Sequence, residues 1–225
     1  MRIARRQRWI VAPQQAVAIQ RRLRANIVPR LPARLPKNPV VAGADISYDK
    51  RSDRLFAAVV LLQLPGLEPV EHATVTDRAR FPYVPGLLSF REAPALLKAF
   101  RKLRRRPDVV MIDGHGLAHP RRFGIACHIG WLLGLPTIGC AKSILCGEHG
   151  ALSQRRGASV PLVYNRGVVG CTLRTRAGVR PVYVSVGHRI DLRSAAGIVL
   201  RCAPRFRIPA PTREAHILVN KLRCS

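Results

Sequence analysis

A chain of 225 residues, 48% of them hydrophobic, is long enough to bury a substantial core and too apolar to be disordered. Its apolar runs fall well short of the ~18 residues of a membrane span, and no secretory h-region or cleavage site follows the basic start Met1–Arg8. The expectation is one cytoplasmic domain over residues 1–225. Against 12 acids stand 39 lysines and arginines, a net charge of +27 that attracts polyanions, nucleic acid first, although with so few lysines a base-composition bias explains it as well.

In chain order, residues 3–24 carry a helical apolar pattern, and a proline-punctuated connector, Pro29–Pro39, follows. Val40–Tyr48 reads as a first strand with an acid inside it. A turn at Arg51–Arg54, an apolar strand Leu55–Leu64, a second turn at Pro65-Gly66 and a strand Pro69–Val75 complete an antiparallel meander. A helix is expected to start near Pro94, since proline suits a first helical position, and to end in the basic run Arg101–Arg106. The short apolar run Val109–Asp113 ends in an acid followed by the turn Gly114-His-Gly116. Then come a helix at about Phe123–Leu133 and a strand Thr137–Lys142. Leu162–Thr175 turns at Arg166-Gly167, and Val182–Val186 follows as a further strand. A helical stretch Leu192–Leu200 precedes a last helix capped by Thr212. The order β-β-β-α-β-α-β predicts an α/β fold: a ribonuclease-H-like mixed β-sheet flanked by helices.

The six cysteines show neither a C-x-x-C pair nor zinc-ligand spacing and read as buried thiols of a reducing compartment. The acids carry more information. Asp45 lies inside an apolar strand, where an unpaired charge is costly. A structural pairing with an arginine would explain it, and an ordinary turn would explain Asp113. Taken together they say more, because in the expected topology their strands are neighbours. Two carboxylates that close share a proton or bind a cation, and oxygen-only ligands point to Mg²⁺ or Mn²⁺. Glu92 is the third candidate; Ser89-Phe-Arg-Glu92 also fits a helix capping box, a reading that Pro94 weakens. His115 and His119 are spaced i, i+4, but Gly114 and Gly116 speak against a helical zinc face, so these histidines are expected to contact substrate phosphate or base. His128 reads as a core or surface histidine. Lys142, ending the fifth strand, would suit a transferring phosphate or would simply be solvated.

Four stretches resemble one family, endonuclease V: Val41-Ala-Gly-Ala-Asp-Ile-Ser47, Phe81 to Glu92, Asp113 to Arg122, and Pro211-Thr-Arg-Glu-Ala-His216. The likeness runs from the Trp9 segment to His216. It implies a Mg²⁺-dependent phosphodiester hydrolase that cuts the second bond 3′ to deoxyinosine in DNA, leaving a 3′-hydroxyl and a 5′-phosphate. It implies metal-site carboxylates at Asp45, Glu92 and Asp113 with a catalytic histidine at His216. Pro82-Tyr83-Val84-Pro85 resembles the family's wedge, which enters the duplex as the base is extruded. Substrate contacts are implied at Gly86, Arg91, Gly114, Gly116, His119 and Lys142. One departure is Val186, where the family usually has proline. Two alternatives stay open: a related nuclease acting on inosine-containing RNA or hybrids, and a non-catalytic basic nucleic-acid-binding protein. Nothing in the sequence suggests a dimer seam, so a monomer is expected.

Overall fold

A computed structural model of the chain describes residues 1–31, 34–49 and 51–224. Its centre is an eight-stranded sheet in the order β3-β2-β1-β4-β5-β8-β7-β6. The strands are β1 (Val40–Tyr48), β2 (Arg54–Gln63), β3 (Glu68–Arg78), β4 (Val109–Ile112), β5 (Thr137–Ala141), β6 (Ser159–Tyr164), β7 (Gly167–Leu173) and β8 (Val182–His188). The first three form the expected meander, and β1, β4 and β5 run parallel. Strands β8, β7 and β6 then add antiparallel to β5. This is the ribonuclease-H-like arrangement read from the element order. Among the described residues no helix is long and apolar enough to cross a membrane.

Alternation along β1 decides which helix meets which residue. Val40, Ala42, Ala44, Ile46 and Tyr48 face the cluster built with α2 (Leu88–Lys102) and α3 (Ile125–Leu133). Val41 faces the opposite cluster, which includes α4 (Leu192–Arg201). On that same face Gly43 lies so close to α5 (Ala210–Cys224) that an added Cβ would sit 2.0 Å from the Pro211 carbonyl carbon. Glycine is required there by space, and the contact fixes how α5 lies on the strand.

Several boundaries differ from the sequence reading. The first helix, α1, is Pro13–Arg24, not 3–24; the residues before it are extended, with Ala12 at ψ 155. Proline disfavours helix in the residue it follows and is preorganised for the first helical position. The preceding segment instead packs Ile3 and Trp9 against the core. Helix α2 starts at Leu88, and Pro94 is inside it. Losing one hydrogen bond of the ladder costs about 3 kcal/mol, and burying Phe90, Ala93, Leu96, Leu97 and Phe100 along one face outweighs that. The helix ends at Lys102; Arg104 and Arg105 lie beyond it and donate their backbone N–H groups to Glu71. The β6–β7 turn centres on Asn165 and Arg166, both at positive φ, one residue earlier than expected. Thr212 is not a cap but lies in the first turn of α5, its hydroxyl donating to the Pro209 carbonyl. The expected connector Pro29–Pro39 lies partly outside the described residues.

Candidate active site

The acids come together where the parallel ladder of β1 and β4 stops. Parallel pairing aligns Ala44 with Ile112, and the Asp113 N–H donates to the Ala44 carbonyl, so Asp113, just past the end of β4, sits beside Asp45 within β1. On the same face, α5 keeps step with β1. Two strand residues rise about 6.8 Å, and four helical residues rise about 6 Å. The contacts therefore repeat: Gly43 on Pro211-Thr212, Asp45 with His216 Nδ1 at 2.7 Å, and Ser47 Oγ donating to Asn220 Oδ1 at 3.1 Å. Asn220 Nδ2 donates to His216 Nε2 at 3.0 Å, which places the histidine proton on Nδ1, facing Asp45. Glu92 arrives from the other face, on α2, and accepts a 2.6 Å hydrogen bond from Tyr48. Lys142, just past β5, forms an ion pair with Asp113.

Each of the three acids thus holds one side-chain donor, His216, Lys142 and Tyr48, and Asp45 accepts from the Ile46 N–H as well. Among the described residues no three acid, cysteine or histidine side chains close into a finished metal cage. The electrostatics nevertheless suit a cation. Burial, then the charge of Asp113, raises the Asp45 carboxyl above its ordinary value, against the hydrogen bond from His216. Burial pushes Glu92 up to about 8; Tyr48 opposes that, and the charges of Asp45 and Asp113 add to it. Mutual repulsion between carboxylates is what a bound cation relieves, and a donor set of oxygens fits a hard divalent ion. Glu92 is no cap: the residue before α2 is Leu87, which caps nothing, and Ser89 Oγ is bonded to His128 Nδ1. Pro94 was therefore a poor argument against that role, and the hydrogen bonds are a good one.

Next to the acids lies a cavity of about 170 Å³, lined by Tyr83, Val84, Gly86, Gly114, His115 and Ile125 among others. Tyr83, Val84 and Pro85 form its outer lip, with Pro82 just outside the lining and Tyr83 72% exposed. At Gly114 an added Cβ would lie 2.8 Å from Ile125, so glycine keeps this wall thin. Burial holds His115 down to about 4, although Asp113 and the Ser143 carbonyl pull it upward, and its Nδ1 is buried without a partner. Gly116 does not line the cavity: an added Cβ there would meet the Val186 carbonyl oxygen at 2.0 Å. The Val186 carbonyl also accepts from the Leu117 N–H, and just past this departure from the family pattern β8 carries an extra residue, Gly187, where its register with β5 shifts. His119 is buried, and both ring nitrogens are engaged, by the Gly86 carbonyl and the Arg121 N–H. Burial, then the Arg121 charge, lowers it to about 4. Arg91 stacks on Tyr48 and donates to the Phe81 carbonyl, bracing the approach to the lip. His128 is a core histidine, as one of its two readings held. A larger groove, about 860 Å³ between α5 and the segment 202–208, contains none of these acids.

Sequence reasoning missed Tyr48, Asn220, Gln20 and Arg121. A tyrosine at the end of the acid-bearing strand and a polar residue four after His216 were the available signals. Gln20 interrupts the buried α1 stripe Ala16–Gln20–Leu23, which the overlong helix assignment hid.

Comparison with known proteins follows this geometry. A family model described as Endonuclease V matches residues 22–217. A curated protein named Endonuclease V from Myxococcus xanthus is 53% identical over 216 residues, 96% of this chain and 92% of that one. The crystal structure of the endonuclease V of Streptomyces avermitilis superposes with a TM-score of 0.92 at 42% identity, covering 96% and 95% of the two chains. The endonuclease V of Ciona intestinalis, in complex with a 24mer DNA containing an inosine followed by a ribo-adenosine, superposes with a TM-score of 0.82 at 26% identity, covering 94% and 97%.

Proposed function

The chain belongs to the endonuclease V family of DNA-cleaving nucleases, and on that premise we propose that it hydrolyses the second phosphodiester bond 3′ to deoxyinosine in DNA, leaving a 3′-hydroxyl and a 5′-phosphate. The observation that carries the reading is the meeting of Asp45, Asp113 and Glu92 from two faces of one sheet beside a small cavity with an exposed aromatic lip. The complexes of the Ciona relative with inosine-containing DNA support the substrate.

Asp45 and Asp113 hold Mg²⁺, for which Mn²⁺ substitutes, and Glu92 is the third acid of that site. When bound, the cation supplies Lewis acidity toward the scissile phosphate. His216, its proton directed at Asp45 by Asn220, keeps that carboxylate oriented. Lys142 alternates between Asp113 and a phosphate oxygen, offering a positive charge where negative charge develops. Extruding a base costs a few kcal/mol, least where pairing is already weak, and Tyr83 offsets part of that by stacking in the vacated space. Gly86 and Gly114 bring backbone against the extruded base. The net charge of +27 supplies affinity through phosphate contacts and makes binding sensitive to salt.

The enzyme works as a monomer, one domain, and six free cysteines suit a reducing cytoplasm. The ribo-adenosine in the Ciona complex keeps inosine-containing RNA as a second reading, which competition between DNA and RNA substrates decides. Membership of a nuclease family sets the binding-only reading aside. The test is incision of an end-labelled duplex with one deoxyinosine, in Mg²⁺ and in EDTA, beside an undamaged duplex. A Mg²⁺-dependent product at the second bond 3′ to the lesion is expected; equal cutting of both duplexes overturns the proposal.

A further inference from the structure

The Gly86 carbonyl accepts three hydrogen bonds: from Gln20 Nε2 at 3.0 Å, His119 Nε2 at 3.0 Å and Arg121 Nη2 at 2.7 Å. The donors come from α1 and from the segment after β4, which sequence alone does not bring together. Gln20 is 1% exposed and fully engaged. Its amide also donates to the Phe123 carbonyl, and its Oε1 accepts from Arg121 Nε. His119 Nδ1 takes the Arg121 N–H, so its ring proton lies on Nε2, facing Gly86. The result is a polar network in which Gln20, His119 and Arg121 are bonded through one another and through the Gly86 carbonyl.

Such a network is a poor way to stabilise α1. On the buried stripe between Ala16 and Leu23 an apolar residue would pack without needing three partners. What the network does accomplish is to over-determine one peptide group, since a carbonyl with two lone pairs receives three donors, one of them charged. That peptide group closes the loop carrying Tyr83. The Tyr83 ring projects into solvent, so its aim comes from backbone between Pro82 and Gly86. Gly86 itself is at φ +77, a conformation open to glycine, and it also walls the cavity. One clamp therefore sets both the lip and the wall of the cavity.

We propose that Gln20 and Arg121 are positioning residues for base extrusion, fixing the lip and the cavity relative to each other before DNA arrives. The inference rests on the reading of the chain as a deoxyinosine endonuclease. Preorganisation lowers the ordering cost at the moment of binding, so the clamp acts on recognition of the lesion and leaves the hydrolytic step untouched.

Gln20→Met keeps the volume and removes every bond Gln20 makes. Arg121→Lys keeps the charge and loses the planar fork that reaches Gly86 and Gln20 together. Expected for both is a KM for the deoxyinosine duplex raised about tenfold, with kcat and affinity for the undamaged duplex within about twofold. With Ca²⁺ in place of Mg²⁺, a 2-aminopurine beside the deoxyinosine should brighten less than with the wild type. The double variant should lose little more than either single one, because both break the same clamp. Three results overturn the proposal: folded variants with wild-type KM and fluorescence, a fall confined to kcat, or equal weakening on damaged and undamaged DNA. Arg121→Lys behaving as wild type while Gln20→Met does not would make Arg121 a phosphate contact and remove it from the clamp. Wild-type protein that leaves the deoxyinosine duplex uncut overturns the parent reading and the clamp's role with it; wild-type cutting matched by Gln20→Met overturns the clamp alone.

Discussion

Two polar assemblies lie side by side in this protein, and they are built on opposite principles. Where β1, β4 and α2 meet, Asp45, Asp113 and Glu92 each hold a single side-chain donor, and two of those donors, His216 and Lys142, have side chains 52% and 42% exposed. Around Gly86 and His128 the polar groups bind mostly one another: Gln20, His119 and Arg121 share the Gly86 carbonyl, and His128, ringed by Trp9, Phe90 and Phe123, is bonded to Ser89 and Gln7. Carboxylate oxygens have several acceptor positions, so a lone donor leaves capacity for a cation and a phosphate. The dry assembly, buried at Gln20, His119 and His128, gives rigidity instead. On the proposed reading the wet assembly does the chemistry and the dry one holds it in place.

Asp113→Asn attacks the wet side most directly. It removes one charge from the cation site and the partner of Lys142. At about 4 kcal/mol of lost stabilisation, incision of the deoxyinosine duplex should fall about 10³-fold. DNA binding measured in EDTA should hold or tighten, since a negative charge beside phosphate is gone. Full incision by this variant would mean that the acids are structural.

Tyr48→Phe probes the seam between the two assemblies, because the Tyr48 ring is packed and stacked by Arg91 while its hydroxyl serves Glu92. A hydrogen bond to a charged group is worth about 2 kcal/mol, so incision should fall roughly 30-fold at limiting Mg²⁺. Raising Mg²⁺ should recover part of the rate. A loss independent of Mg²⁺ would place Tyr48 with the dry scaffold.

Tyr83→Ala tests the lip. Stacking is worth about 1–3 kcal/mol per base, so preference for the deoxyinosine duplex over an undamaged one should drop about tenfold. The urea midpoint should not move, because this ring is 72% exposed. A shifted midpoint would mean that the lip is part of the core.

This division also explains what the sequence disclosed. Asp45 and Asp113 were legible because a charge interrupts a run of strand-forming apolar residues, and neighbouring parallel strands bring two such interruptions together. The meander and the α/β order were legible for the same reason, through periodicity and turns. The dry assembly was not. Gln20 looks like one more polar residue in a helix rich in arginine, and only packing reveals that its face is buried. Pro94 reads as a helix start, because a local rule cannot register the buried face of α2 that outweighs it. The third acid, Glu92, stands out in the sequence beside a competing cap reading, and only packing shows that it approaches from the other side of the sheet.

His128 gives the smallest and most specific test, a comparison of slopes. Burial depresses it to about 3, whereas an unfolded chain leaves it near its ordinary 6.5. The unfolded state therefore takes up the proton first. The stability this histidine supports is complete above pH 6.5 and declines as pH falls toward 3, by up to about 1.4 kcal/mol per pH unit. His119, His188 and His115, each lowered to about 4 chiefly by burial, add slopes of the same sign. His128→Leu should lose about 1–3 kcal/mol at pH 7.5, because Ser89 and Gln7 lose their shared partner in a buried site. Between pH 6.5 and pH 4.5 its urea midpoint should then fall less steeply than the wild type's. The other three histidines are common to both proteins, so the difference in slope isolates this ring. Parallel curves would mean that water reaches His128 when it is protonated, and the contrast between a wet catalytic end and a dry scaffold would fail where it is drawn most sharply.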